Sequence, residues 1–465
     1  MKYRIERDFL GEVKVPDEAY YGIHTQRAYE NFKISKYKFQ PEFIKALAIV
    51  KLAAARANYK LGLLEKEIFE AIEKAALEVI EGKFNDQFIV DIFQTGSGTS
   101  TNMNMNEVIA SRANELLGGK KGDKKPVHPN DHVNKCQSTN DVIPTTIHVA
   151  SLMMVYERLL PAMEKLYNAL KLKAEEFKDV VKAARTHLQD AVPVTLGQDF
   201  SAYASMILHD IEEVKKASER LKELALGGTA AGTGLNAHPM FAEIAIEEIK
   251  KITGIEFRKA RNSFEALQSM NAVLALSSAI KSLAVSLMKI GNDLRLLNSG
   301  PNTGLAEIDL PALQPGSSIM PAKVNPIIPE AVTMAAAKLI GNDATITTAA
   351  QYSFLELHMM MPLIGYTILE SIEIAANACI TFADKCIIGI KANVERCKQY
   401  AESSLMVITA ITPKIGYEAA AKIAKKAMET RKSIKELLVE EGIFTKEEVD
   451  KIIDVKKLTE GGIIT

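Results

Sequence analysis

Between residues 316 and 326 the chain reads Gly316-Ser317-Ser318-Ile319-Met320-Pro321-Ala322-Lys323-Val324-Asn325-Pro326. These residue types can together carry proton transfer beside an anion. Small residues let the backbone approach a ligand closely. Lys323 brings a compact positive charge suited to a carboxylate, and Asn325 brings two donors and an acceptor. A serine hydroxyl is ordinarily a poor base. N–H groups aimed at it and a nearby ammonium stabilise the alkoxide and lower its pKa, which makes Ser317 a candidate general base. By composition alone the segment reads more readily as a serine-rich turn with a solvated lysine, so the case depends on the rest of the chain.

Four other clusters bear on it. Gly96-Ser97-Gly98-Thr99-Ser100-Thr101-Asn102 is a hydroxyl-rich glycine loop without the Gly-Lys-Ser/Thr ending of a P-loop. Ser138-Thr139-Asn140-Asp141 puts two hydroxyls and an amide at the start of a helix. Such residues cap helices, and the same N-terminus favours an anion. Arg185-Thr186-His187-Leu188-Gln189-Asp190 offers one imidazole among hydrogen-bonding groups, although a lone histidine is more often structural. Gly227 to Gly234 reads as a tight turn between helices with a backbone role. Hydroxyl, amide, ammonium and imidazole groups of this kind suit a small, doubly anionic substrate. The chain carries no dinucleotide fingerprint, no HExxH and no G-x-S-x-G elbow.

The elements that must position these groups read as helices. The 465 residues suggest about three units at roughly 150 residues each. The expected division is a mixed, mainly helical segment 1–140, a central helical bundle 141–390 and a small helical segment 391–465. Residues 1–40 look irregular and 41–82 helical. Long helices are expected over about 145–183, 197–226, 262–298, 330–350 and 363–386, apolar on more than one face and so covered by other helices. Pro161 should kink the first. The stretches 185–198, 227–236, 300–325 and 351–362 read as polar linkers, and linkers of that length in a compact chain are usually functional. Ser433–Glu441 reads as a short amphipathic helix, and Thr445 with Glu448 as a capping box. A net charge of −1 gives no reason to expect nucleic acid or a membrane surface. Four cysteines without Cys-x-x-Cys or zinc spacing fit a reduced, cytoplasmic protein with no metal site. The apolar stretch 273–290 is broken by Lys281 and Lys289 and reads as a core helix.

The Gly316–Pro326 segment resembles the signature of the aspartase/class II fumarase superfamily. The resemblance runs over essentially the whole chain and includes Tyr21-Gly22-Ile23-His24-Thr25, Asn104-Met105-Asn106-Glu107-Val108, Asp131 to Asp141 and Arg185 to Gln198. It implies a mainly α-helical, three-domain fold with a long central bundle. It also implies a homotetramer whose active sites draw loops from three subunits. The implied reaction is elimination from a succinyl skeleton to fumarate or a fumaryl product, without an organic cofactor. Ser317 would be the base, on a loop that closes over the substrate. Ser318, Lys323 and Asn325 would hold the carboxylate beside the carbon that loses its proton. Thr99, Ser138, Thr139 and Asn140 would contact carboxylate and leaving group. Thr186 and His187 would bind the other carboxylate, with Glu330 supporting His187. Some members respond to divalent cations, and fumarases have a second anion site matching His128 to Asp131 near Lys125.

Within that family the closer likeness is to aspartate ammonia-lyase. Ser138-Thr139-Asn140-Asp141 and Asn325-Pro326-Ile327-Ile328-Pro329-Glu330 resemble aspartases, whereas fumarases more often place a second serine at the Thr139 position. Gln94 to Thr99, Leu226 to Thr229, Asn262 to Leu267 and Ser403 to Tyr417 look more like fumarase, which is the alternative. A non-catalytic scaffold of the same fold is a third reading. Two residues depart from the pattern: Asn302 stands where an arginine is usual, and His358 where an asparagine is usual.

Overall fold

The computed structural model describes residues 2–463. As the composition predicts, the chain is mainly helical. In order the longer elements are β1 (Tyr3–Asp8), β2 (Gly11–Pro16), α1 (Ile23–Asn31), α2 (Pro41–Lys60), α3 (Lys66–Ile80), α4 (Thr99–Leu116), α5 (Thr139–Met154), α6 (Leu160–Glu176), β3 (Val181–Thr186), β4 (Gln189–Thr195), α7 (Leu196–Leu221), α8 (Phe241–Thr253), α9 (Ser263–Gln268), α10 (Asn271–Leu297), α11 (Ile327–Ala350) and α12 (Met361–Lys385). Shorter helices follow Val394. The strands among the described residues pair only two at a time. Two compact units interleave along the sequence: Met1–Pro161, Asp210–Ala284 and Ala337–Ala376 form one, and Ala162–His209, Val285–Ala336 and Asn377–Thr465 the other.

In the first unit α2 is the axis. Pro41 at its first turn presets the helical φ, and alanines dominate the rest. It packs on α3, α5 and α8 and buries residues on every face, including Phe43, Leu47, Ile49 and Leu52. Each such side chain contributes about 1.5–3 kcal/mol. The N-terminal forty residues are more ordered than their composition suggests. Tyr3–Asp8 and Gly11–Pro16 form an antiparallel hairpin, turned by Gly11 at φ 115°. Helix α1 is anchored by Glu107, whose carboxylate accepts from the N–H groups of Gly22, His24 and Thr25 and from the Thr25 hydroxyl.

The helix expected over 145–183 spans 139–176, with a π-helical segment, Val155–Leu159, just before Pro161. Proline has no N–H for the i−4 carbonyl, and the wider π turn falls where that bond is lost. The α10 residues Ser277 and Lys281 meet Asp343 of α11 at 2.8 and 2.6 Å. Helices Asn271–Leu297 and Met361–Gly389 are long and apolar enough to cross a membrane, but 50% and 61% of their apolar windows are buried within the protein. That fits core helices.

His148 on α5 holds its Nδ1 2.8 Å from the Glu223 carbonyl. Burial drives its pKa down to about 4. A histidine titrating lower in the folded than in the unfolded chain costs stability as pH falls from about 6.5 toward 4, because the unfolded chain takes up the proton first. Replacing His148 with Asn should therefore shrink the drop in urea midpoint between pH 7 and pH 5, by the equivalent of about 1–2 kcal/mol.

In the second unit, the C-terminal segment builds its own core from Val407, Ile411, Ile423, Leu437, Leu438, Val449 and Ile453. The expected cap of Thr445 with Glu448 opens Lys446–Ile452, and the short helix expected from Ser433 runs Ile434–Glu440 behind a second capping box, Ser433 with Glu436. The segment read as a linker after 185 is instead an antiparallel hairpin, β3 with β4, and the preceding helix stops at Glu176.

Candidate active site

The first unit gathers Thr99, Ser138, Thr139 and Asn140 at the N-termini of α4 and α5. Gly98 caps α4 in the left-handed region at φ 84°. Gly96 is clamped beneath it: Met361 donates its N–H to the Gly96 carbonyl at 3.0 Å, and a Cβ on Gly96 would fall 2.0 Å from the Met359 carbonyl oxygen. Thr99 shares a 3.0 Å hydroxyl contact with Ser97. Ser138 caps α5, and Asp141 answers it in a reciprocal capping box. The second oxygen of Asp141 accepts from Gly227 and Thr229 N–H, each at 2.9 Å. Burial pushes Asp141 up to about 6 against these donors. The glycine-rich turn thus takes the backbone role its sequence suggested. Its Ala230 carbonyl also accepts from Asn140 Nδ2 at 2.8 Å, which orients the amide with its NH2 group on the turn. Two helix N-termini lined with hydroxyls favour an anion.

The second unit holds the remaining residues. Gly316 N–H bonds the Lys323 carbonyl at 2.7 Å and Asn325 Nδ2 bonds the Gly316 carbonyl at 2.6 Å, closing the signature into a loop. A Cβ at Gly316 would meet Asn325 N and Lys323 O at 2.7 Å, so only glycine fits that neck. Ser317 Oγ accepts from the N–H groups of Ile319 and Met320 at 3.2 and 2.9 Å. Donors aimed at the oxygen stabilise the deprotonated hydroxyl. Ser318 and Lys323 are exposed and Asn325 is half-buried. A hollow of about 470 Å³ is lined by Ser317, Met320, Lys323 and neighbours from Ala312 to Val324. Ile319 and Met320 stand 83% and 50% exposed, an apolar rim with nothing over it in the single chain.

Thr186 and His187 sit at the tip of the β3–β4 hairpin. Thr186 pairs with Gln189, so His187 and Leu188 alone make the turn, at φ 56° and 58°. Two successive left-handed residues define a type I′ turn, which ordinarily takes Asn-Gly. A histidine and a leucine held there carry backbone strain of order 1 kcal/mol or more each. Strain of this kind concentrates at functional sites. His187 lines a cavity of about 400 Å³ with Lys182, Arg185, Asp199, Tyr203 and Asp293 among others. Glu330 lies half-buried in the first turn of α11, and among the described residues its carboxylate makes no bond to His187.

Several supporting residues escaped sequence reasoning. Glu307, fully buried, faces Lys182 at 3.5 Å and Arg185 at 2.9 Å and so braces β3 from behind. Lys51, Asn102 and Asn134 form a buried polar network under Thr139. An ionisable residue inside an alanine-rich helix was the one available signal for Lys51. His358 is buried, with Nδ1 accepting from Met360 N–H, and so belongs to the strand end that clamps Gly96. Asn302 is exposed in the turn after Ser299. At the segment matching the fumarase anion site, His128 Nδ1 already accepts from the Asn130 and Asp131 N–H groups at 3.2 Å. No group of three or more metal-ligating side chains occurs among the described residues.

Comparison with known proteins decides the family. The Lyase family model matches residues 11–341, and the model described as Fumarase C C-terminus matches 407–460. The chain belongs to the aspartase/fumarase superfamily. This lyase is 49% identical over 460 residues to an aspartate ammonia-lyase of Bacillus sp, covering 99% of this chain and 98% of that protein. It is 48% identical over 453 residues to a class II fumarate hydratase of Bacillus subtilis, covering 97% and 98%. Its fold superposes on a crystal structure of recombinant class II fumarase from Schistosoma mansoni with a TM-score of 0.96 and 39% identity, over 98% and 99% of the two chains. The lyase breaks a carbon–nitrogen or a carbon–oxygen bond, and overall identity does not separate the two.

Proposed function

We propose that this lyase is an aspartate ammonia-lyase, converting L-aspartate to fumarate and ammonia by anti-elimination. The observation that carries the choice is Asn140. Its Nδ2 gives one hydrogen to the Ala230 carbonyl, which orients the amide and leaves its oxygen able to accept from a ligand. An ammonium has donors and no acceptor, which matches that oxygen and the neighbouring hydroxyls. An ammonium also departs as neutral ammonia and needs no acid, whereas a departing hydroxide needs a proton.

In this reading Ser317, as alkoxide, removes a proton from C3. The second negative charge then appears on the adjacent carboxylate, and Ser318, Lys323 and Asn325 meet it as donors aimed where charge develops. Thr186 and His187 hold the other carboxylate, with Glu330 behind His187. Thr99, Ser138, Thr139 and Asn140 hold the leaving group and its neighbour. The chemistry is proton removal and carboxylate stabilisation, so no organic cofactor is required, and a divalent cation would act only as an activator. The site is completed by other copies of the chain in a homotetramer. The exposed face of α11, with Ala331, Met334, Ala337, Gly341 and Ala344, is nearly free of charge and small enough for close helix packing, which supports that assembly.

Parallel assays with L-aspartate and L-malate test the substrate. Ultraviolet absorbance from fumarate should rise with L-aspartate alone. Turnover of L-malate with none of L-aspartate would replace the reading with fumarase, which the match of residues 407–460 favours.

A further inference from the structure

Lys51 lies on α2 with no exposure to solvent. Its ammonium reaches Asn134 Oδ1 and Gln137 Oε1, both at 2.9 Å. The same Asn134 oxygen accepts from Asn102 Nδ2 at 3.2 Å and from Asn106 Nδ2 at 3.0 Å. Asn102 Nδ2 spends its other hydrogen on Thr139 Oγ1 at 3.0 Å.

The direction of the bonds in this chain follows from two anchors, the Lys51 ammonium and the Gln137 backbone carbonyl, which accepts from Asn134 Nδ2 at 3.1 Å. An ammonium can only donate, so Asn134 must present its oxygen to Lys51. That oxygen then obliges Asn102 to present its NH2 group, and the same group faces Thr139. The Thr139 hydroxyl therefore accepts from within, and its own proton has no acceptor among the described residues. It is left to point outward, from a side chain only 9% exposed.

We propose that Lys51 is a positioning residue that, through Asn134 and Asn102, fixes the Thr139 hydroxyl as a hydrogen-bond donor toward a substrate carboxylate. The proposal rests on the reading that Thr139 faces the substrate. A buried lysine is costly, and here its ammonium holds the Asn134 and Gln137 oxygens inward, on amides whose NH2 groups bond backbone carbonyls. Burial pushes its pKa down to about 7, with the Asp141 charge opposing. When neutral, the amine keeps two hydrogens for its two acceptors, and Asn134 Nδ2 stays on the Gln137 backbone carbonyl, so the polarity survives the titration of Lys51.

A mutant cycle on the whole enzyme tests this. Asn102→Asp replaces the inward donor with an acceptor and turns the Thr139 proton inward. Lys51→Met removes the ammonium that holds the Asn134 oxygen and leaves only the Gln137 backbone carbonyl to orient that amide. Each is made alone and together with Thr139→Val. The dissociation constant for succinate is measured by calorimetry, and KM and kcat are measured with whichever of L-aspartate or L-malate is turned over. Asn102→Asp and Lys51→Met should each weaken succinate binding roughly tenfold to a hundredfold when Thr139 is present, with KM rising more than kcat falls. In the Thr139→Val background neither should change binding by more than about twofold. Equal losses in both backgrounds would overturn the proposal, because a scaffold role does not depend on the hydroxyl. If Lys51→Met fails to fold, the Asn102 pair decides. An intact cycle with no turnover of L-aspartate would sink only the substrate reading, and no succinate binding by the parent would sink both.

Discussion

Replacing Ser317 with alanine should lower turnover of L-aspartate roughly a thousandfold or more, within the range that a positioned base contributes, while the protein stays folded. The two halves of this expectation have separate grounds. The hydroxyl accepts two backbone N–H bonds from Ile319 and Met320, and no other side-chain oxygen shares that pair of donors. A serine without them is a base only at very high pH. With them the alkoxide has fixed partners in place of water, and closure of the apolar rim around it would strengthen both bonds by excluding solvent. The structural cost of the change is small because the loop is exposed. The N–H groups of Ile319 and Met320 can turn to water, at a cost of about 1 kcal/mol or less. The expected pattern is lost kcat, nearly unchanged succinate affinity and an unchanged thermal midpoint. Retention of more than about a tenth of the parent rate would remove Ser317 from the role of base.

Glu307→Ala should have the opposite profile, costing about 3–5 kcal/mol of stability with no direct part in the chemistry. Glu307 has no exposed surface and stands against Lys182 and Arg185 of β3. Lys182 would keep Asp199 at 3.1 Å, and Arg185 would keep a 3.4 Å bond to the Ala183 carbonyl and its stacking on Tyr400, 5.1 Å from the ring centre, but no carboxylate. Deleting the carboxylate therefore strands a desolvated guanidinium. Its backbone position matters too, because the Glu307 carbonyl accepts from Asn393 N–H and from the Cys397 thiol, bonds that alanine retains. The loss should appear as a lower denaturant midpoint with an unchanged slope. Under the proposed function, activity per folded molecule should also fall, since β3 ends at Thr186 and leads directly into His187. A midpoint shift equivalent to under about 1 kcal/mol would mean that water reaches the cluster and screens it.

Glu307 also marks where sequence reasoning stopped. It sits in a stretch whose Gly, Pro and Asn content announces a loop, and nothing in one-dimensional spacing says that a loop carboxylate will be the most buried charge near β3. Lys51 was hidden for the opposite reason, as one lysine among the helix-forming residues of α2. Features whose cause is local were legible: the short helix after Ser433, the Thr445–Glu448 cap, the N-cap at Ser138 and the helical character of the long apolar segments. The hairpin after residue 180 was not. Val181-Lys182-Ala183-Ala184-Arg185-Thr186 does not alternate cleanly, a bulge interrupts its register between Ala183 and Arg185, and its turn lacks the Asn-Gly that would have announced it. The N-terminal hairpin was missed because its strands are mostly exposed and carry little apolar pattern.

That unmarked turn has a consequence for the history and the engineering of the chain. His187-Leu188 occupies the two positions where Asn-Gly would relieve the backbone at no cost to the hairpin. Any screen that rewards only heat resistance or yield will find that exchange, and every clone it favours will lack the imidazole. Under the proposed function, the sequence at the tip gives up backbone ease for a side chain that meets the substrate. A library meant to toughen this lyase should hold residues 187 and 188 constant and look for its gains elsewhere.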